Sequence, residues 1–204
     1  MLTVSLKISK TKKNKLSDKE AAFNRVASFY ILLPTKPLDK IFHKDVLIVR
    51  IVKYKTILTN EGKAVLEKEM SVNCPEVGKT MNSPYKLEKI ITHFLRIHEQ
   101  TEEHLYMVCL NTKLHMTSVF EVSHGNVNSS IFSVREILQK ALLANAVNIV
   151  MMHNRPSGNP TPRRQDVTMT EKLKEAGGIV GIGVLDHLII GRGRYTSLKD
   201  RGDI

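Results

Sequence analysis

Cysteine is scarce. Cys74 and Cys109 are the only two in 204 residues, far apart and outside any paired motif. They cannot build a disulfide framework or a four-cysteine zinc ribbon, so a reducing compartment, the cytoplasm, is the expectation. Long apolar runs are missing as well. A membrane span needs roughly 20 apolar residues and no run comes near that; Ile31-Leu32-Leu33, for one, is stopped by Pro34. The first twenty residues carry six lysines and no apolar stretch, so neither a secretory signal nor a membrane partner is expected. There is no internal repeat and no low-complexity tract.

What is present is a chain with 42% hydrophobic residues, enough to bury a sizeable core and too many for a disordered polymer. The net charge is +11 and unevenly placed. Residues 1–82 hold 16 Lys/Arg against 8 Asp/Glu, a balance of +8, while residues 83–204 hold 15 against 12, a balance of +3. A basic segment of this kind suits nucleic acid or an acidic protein surface. Lysines without interleaved arginine or aromatics also fit a merely solvated tail.

Two regions are expected, a basic module over residues 1–82 and an α/β domain over 83–204. Residues 1–20 read as a flexible or edge segment. Asp45 to Leu58 is rich in β-branched residues and reads as a strand. Thr59 to Met81 is polar, holds Pro75 and Gly78, and reads as a helix followed by a linker. Ser83-Pro84 offers an N-cap and first-turn proline to a helix carrying Leu87, Ile90, Ile91 and Phe94. His104–Leu110 and Leu114–Val122 form a hairpin around Asn111-Thr112-Lys113. Ser133 and Glu136 make a capping box that opens a second helix. Asn148–His153 is a short buried strand. Thr161-Pro162 opens a third helix that Gly177-Gly178 should stop. Ile182–Ile190 and Arg194–Leu198 close the chain as strands. The fold class is therefore α/β, a mixed sheet packed with helices.

The most informative segment runs from His153 through Arg155, Pro156, Ser157 and Gly158 to Asp166. It leaves the end of an apolar strand and enters a helix, a place where α/β proteins build sites. Residues 153 and 155 point the same way on extended backbone, and Asp166, one turn into the helix, can face back towards them. Two convergent side chains and a carboxylate are the outline of a three-ligand zinc site with one position left for water.

Over residues 83–204 the sequence resembles the JAB/MPN domain of the bacterial RadC proteins, historically called DNA-repair proteins. The resemblance rests on Glu103-His104-Leu105, Leu110-Asn-Thr-Lys113, Gly125-x-x-Asn128-Ser129-Ser130, Arg135-Glu136, His153-Asn-Arg-Pro-Ser-Gly158 and Leu185-Asp186-His187. It implies the JAB/MPN, cytidine-deaminase-like fold and a JAMM metallopeptidase scaffold. In that scaffold zinc is held by His-x-His and an Asp eleven residues on, and an upstream glutamate acts as base. Carried across, the ligands would be His153, position 155 and Asp166, and the base Glu103. An oxyanion-side serine would fall at position 163. Arg155 and Arg163 stand at two of these five positions. Arginine has no lone pair for a metal and stays protonated, so zinc is expected to be weakly bound or absent.

An arginine fork can instead satisfy two carboxylates, and Arg155 is expected to bridge Glu103 and Asp166. Arg163 and Arg164 join it as candidates for pairing carboxylates or an anion at the helix start. His187 is a candidate replacement ligand, with a structural hydrogen bond as the plainer reading. Three functions follow: a zinc-dependent peptide or isopeptide hydrolase with Glu103 as base, a binding or scaffolding module that engages a protein partner without catalysis, and a nucleic-acid-associated protein using residues 1–82 and the arginine loop.

Overall fold

The computed structural model describes residues 47–76, 80–125 and 133–204. The expectations for residues 1–20, Asn128, Ser129 and Ser130 lie outside that range. In chain order the elements are β1 (Leu47–Leu58), β2 (Ala64–Glu76), α1 (Pro84–Leu95), a 3₁₀ turn (Ile97–Glu99), β3 (His104–Leu110), β4 (Met116–His124), α2 (Val134–Leu143), β5 (Asn148–Asn154), α3 (Arg164–Ile179), β6 (Gly183–Ile190) and β7 (Tyr195–Ser197). The seven strands form one mixed sheet in the order β2-β1-β4-β3-β5-β6-β7. The sheet thus takes in residues on both sides of Asn82. The β1–β2 hairpin joins it through two parallel pairs, Lys53 with Val119 and Tyr54 with Phe120.

Two strands show how local sequence becomes layers. Along β5, Val150 and Met152 point to one face and Ile149 and Met151 to the other, the period-two alternation of a strand buried on both sides. The first face packs on α1 through Leu87, Ile90, Ile91 and Phe94. The second packs on α2 and α3 through Ile137, Leu138, Ala141 and Leu173. The two apolar layers cover the centre of the sheet, and His153 continues the Ile149–Met151 row onto the α3 face at the strand's end.

Several local signals act as expected. Pro84 occupies the first turn of α1, although Ser83 before it makes no side-chain cap bond, and Ser133 Oγ accepts the Glu136 N–H at 3.3 Å at the start of α2, one half of the expected capping box. Asn111 Oδ1 accepts the N–H groups of Lys113 and His115 at the β3–β4 turn. Two expectations need correction. The expected helix between Thr59 and Met81 is a hairpin instead: Thr59 to Lys63 is a tight turn, with Gly62 at φ +74°, and β2 then pairs with β1 along its whole length, while the expected linker at Gly78 lies outside the described residues. A long antiparallel partner overrides modest local helix preference. Helix α3 also begins at Arg164 and runs through Gly177-Gly178 to Ile179 rather than stopping at the glycines. A Cβ on Gly177 would lie 2.6 Å from the Ile182 carbonyl oxygen, so this glycine serves close packing at the entry to β6, not termination.

Candidate functional site

The end of β5 delivers the site. Arg155 N–H donates to the Ile190 carbonyl at 2.8 Å, and the Arg155 carbonyl accepts from Gly158 N–H at 2.8 Å. This anchors the loop to β6 before it turns towards α3. The turn then docks on Gly191, where an added Cβ would fall 2.5 Å from the Gly158 carbonyl oxygen. Only glycine tolerates that approach.

Asn154, on the opposite side of the strand from His153, holds the segment that carries Glu103. Its Oδ1 accepts from His104 N–H at 2.6 Å, and its Nδ2 donates to the Glu102 carbonyl at 2.8 Å. Glu103 is thereby fixed over the strand end although it lies fifty residues upstream. At the start of α3, Asp166 occupies the third helical position and accepts the Arg163 N–H at 2.7 Å. That is the acidic half of a capping box. The reciprocal half needs an acceptor that an arginine side chain lacks. The carboxylate also suits the positive end of the helix dipole, which Arg163 and Arg164 alone would oppose.

Between these two carboxylates lies Arg155, 5% exposed. Its Nη1 donates to both oxygens of Glu103, at 2.9 and 2.8 Å, and its Nη2 to Asp166 Oδ2 at 2.5 Å. Arg163 reaches the same Glu103 from outside, Nη2 to Oε1 at 3.2 Å, with its own side chain half exposed. Arg164 is exposed at the first residue of α3 and, among the described residues, takes no part in this cluster. Two anions are therefore matched by one buried and one surface guanidinium.

Behind the arginine is a histidine relay. His153 Nδ1 and His187 Nε2 are 2.8 Å apart, and His187 Nδ1 lies 2.6 Å from Thr170 Oγ1, which donates to the Asp166 carbonyl at 2.6 Å. Thr170 has one proton. Once that is given to the helix carbonyl, its lone pair accepts from His187 Nδ1–H, and His187 Nε2 accepts from His153 Nδ1–H. His153 Nε2 is then a bare lone pair, buried and without a hydrogen-bond partner among the described residues. Burial, reinforced by His187, Arg155 and Arg163, pushes the His153 pKa well down. Burial likewise takes His187 down to about 4, with Asp166 pulling the other way and Arg155 adding to the fall. His153 Nε2 stands 3.8 Å from Asp166 Oδ1, and because the ring is neutral this is not an ion pair.

The structure thus gathers Glu103, His153, Arg155, Arg163, Asp166 and His187 at one place. His187 is set behind His153, so it orients that ring. Thr170 and Asn154 went unrecognised in the sequence reading, and only the position of Asn154 inside the His153–Gly158 motif hinted at a role.

The zinc that the resemblance implies does not fit this donor set. The aimed lone pair of His153 is present, but the position of a second imidazole is filled by a guanidinium. Asp166 Oδ2 is already taken by Arg155 and the Arg163 N–H. A cation brought here would meet a fixed positive charge instead of a ligand.

The comparisons with known proteins agree with the topology. The family profile described as RadC-like JAB domain matches residues 81–203. A UPF0758 protein of Methanosarcina barkeri is 46% identical over 107 residues, covering 52% of this chain and 47% of its own length. One from Desulfitobacterium hafniense is 40% identical over 144 residues, covering 70% of this chain and 63% of its own. One from Clostridium novyi is 49% identical over 100 residues, covering 49% and 44%. The chain spans less than two thirds of the length of each. A profile match over more than half of the chain, on a mixed sheet flanked by helices with the motif residues gathered at one strand end, identifies the chain as a member of the RadC-like JAB domain family.

Proposed function

We propose that this RadC-like JAB domain is a non-hydrolytic binding or scaffolding module in which Arg155 takes the structural place of a metal ion. The observation that carries the reading is the Arg155 guanidinium seated between Glu103 and Asp166. Two convergent carboxylates need a cation, and a tethered guanidinium supplies one without coordination chemistry. The same contacts argue against Glu103 as a general base. Both of its oxygens accept from Arg155, and Oε1 also accepts from Arg163. Three of the roughly four lone-pair sites of the carboxylate are thus committed to guanidinium donors, which leaves little room to seat a water against it for proton transfer.

The test is hydrolysis of a peptide and an isopeptide-linked substrate by the full chain with zinc supplied. The expected result is no activity above background. Chelator-sensitive cleavage that disappears in Glu103→Gln would overturn the reading and restore the hydrolase. A second component of the proposal rests on charge: the +8 balance of residues 1–82 makes this region the source of any affinity for nucleic acid or an acidic protein partner. Deleting residues 1–20 should weaken binding to a labelled duplex and flatten its salt dependence, because fewer counterions are released. An unchanged salt slope would move the contact to the arginine loop.

A further inference from the structure

On the α1 face of the sheet, away from the arginine cluster, β3 and β4 bring together three groups of a different kind. His104 and His124 are directly paired across the two strands. Glu121 points to the same face. His104 Nδ1 lies 3.0 Å from Glu121 Oε1, and His124 Nδ1 lies 3.2 Å from the same oxygen. One ligand atom from each residue falls within 4.8 Å of the others. Zinc bonds of about 2.0–2.1 Å arranged tetrahedrally put neighbouring ligand atoms roughly 3.3–3.4 Å apart. Two of the three edges are already close to that spacing. The third closes by turning His124, whose side chain is 67% exposed and able to move.

The carboxylate is divided in a way that leaves room for a cation. Oε1 faces the two imidazoles, while Oε2 accepts from Lys53 Nζ at 2.8 Å. Lys53 in turn lies 3.4 Å from Glu69. The ammonium therefore holds Glu121 in place from the far side, and its charge is shared with a second carboxylate. The rings are also set: His104 stacks on Tyr106 and on His124, with centroids 6.1 and 5.5 Å apart. Gln100 Nε2 fixes the Tyr106 hydroxyl at 2.9 Å.

We propose that His104, Glu121 and His124 form a binding site for a divalent cation of the zinc class, with three protein ligands and a fourth position open to water. Two imidazoles and one carboxylate suit zinc, cobalt or nickel and not magnesium or calcium, which take oxygen sets. The site is separate from the arginine cluster. Glu103 turns to the α3 face and His104, its neighbour, to the α1 face, so neither site borrows a ligand from the other. A bound cation would join β3 to β4 beside the two residue pairs that tie β1 to the sheet, and so stiffen the attachment of the β1–β2 hairpin.

The probe is cobalt chloride, titrated into the full chain and followed by its visible absorption. The expected result is saturable binding of one cobalt per chain with intense bands of tetrahedral type. His124→Ala should weaken binding by about tenfold or more, since loss even of an outer partner of a ligand costs that much. His124 is exposed, so this variant tests the site without threatening the fold, and Glu121→Gln provides a second reading. His98→Ala, an exposed histidine outside the cluster, should bind as the native chain does. Absence of saturable binding, or unchanged binding in His124→Ala, would overturn the proposal; the second result would place the cobalt elsewhere, including at His153.

Discussion

Removing the Arg155 side chain is the sharpest perturbation of the arginine cluster. In Arg155→Ala, Glu103 loses two hydrogen bonds and Asp166 loses one, and both carboxylates then face each other across the space left behind. Deleting one partner of a buried ion pair costs about 3–5 kcal/mol, because the remaining charge stays desolvated. The carboxylate side chains here are 16% and 12% exposed, so water reaches them in part. That favours the lower end, about 3 kcal/mol. For a domain of this size each kcal/mol moves the midpoint by about 2–4 °C, so a drop of about 6–12 °C is expected. Thermal unfolding followed by far-ultraviolet circular dichroism at pH 7 reads it. Arg155→Lys should fall between native and alanine, since a point charge cannot span both anions. A midpoint within 2 °C of native for Arg155→Ala would refute the reasoning, because it would mean the carboxylates never needed the guanidinium.

Arg163→Ala should behave quite differently. Its guanidinium is half exposed and makes one bond of 3.2 Å to Glu103, so the loss should stay under about 1 kcal/mol; equilibrium urea unfolding would detect more. Acid should destabilise the domain through the histidine relay. His187 is pushed down to about 4 in the folded chain and returns to an ordinary value near 6.5 when unfolded. The unfolded state then binds the extra proton below about pH 6.5, so stability falls from there towards pH 4, by on the order of 3 kcal/mol from this group. Urea midpoints measured across that window should decline. A flat profile, or one that His187→Gln leaves unchanged, would contradict the neutral relay.

How much of this was legible in the sequence depends on how far apart the partners lie. The first-turn proline of α1, the Ser133 cap of α2, the β3–β4 turn and the apolar alternation of β5 are written in residues a few positions apart, and the structure follows them, whereas Ser83 makes no side-chain cap bond and α3 opens after Arg163 instead of at Thr161-Pro162. β2 was missed because its order comes from β1, a partner across a turn, and not from its own periodicity. Gly177 was misread because a glycine that allows close approach looks the same in sequence as one that ends a helix. At the site, the resemblance supplied Glu103, His153, Arg155, Asp166 and His187, and spacing alone would have linked only those on the β5–α3 loop. Thr170 and Asn154 act through hydrogen bonds to elements that only the fold brings near. The pairing of His104 with His124 escaped for another reason. Two register shifts interrupt the β3–β4 ladder, so counting outward from the turn lands on the wrong partner.

Arg155 is proposed to stand where the family scaffold would hold a metal. Zinc bound per chain, measured by elemental analysis after equilibration and buffer exchange for the native protein and for Arg155→His, tests it most directly, with His124→Ala present in both to silence the β3–β4 cluster. No zinc is expected with Arg155 in place. One zinc per chain is expected in Arg155→His, abolished by a further Asp166→Asn. Stoichiometric zinc held with Arg155 in place and lost on changing His153 or Asp166 would contradict the proposal.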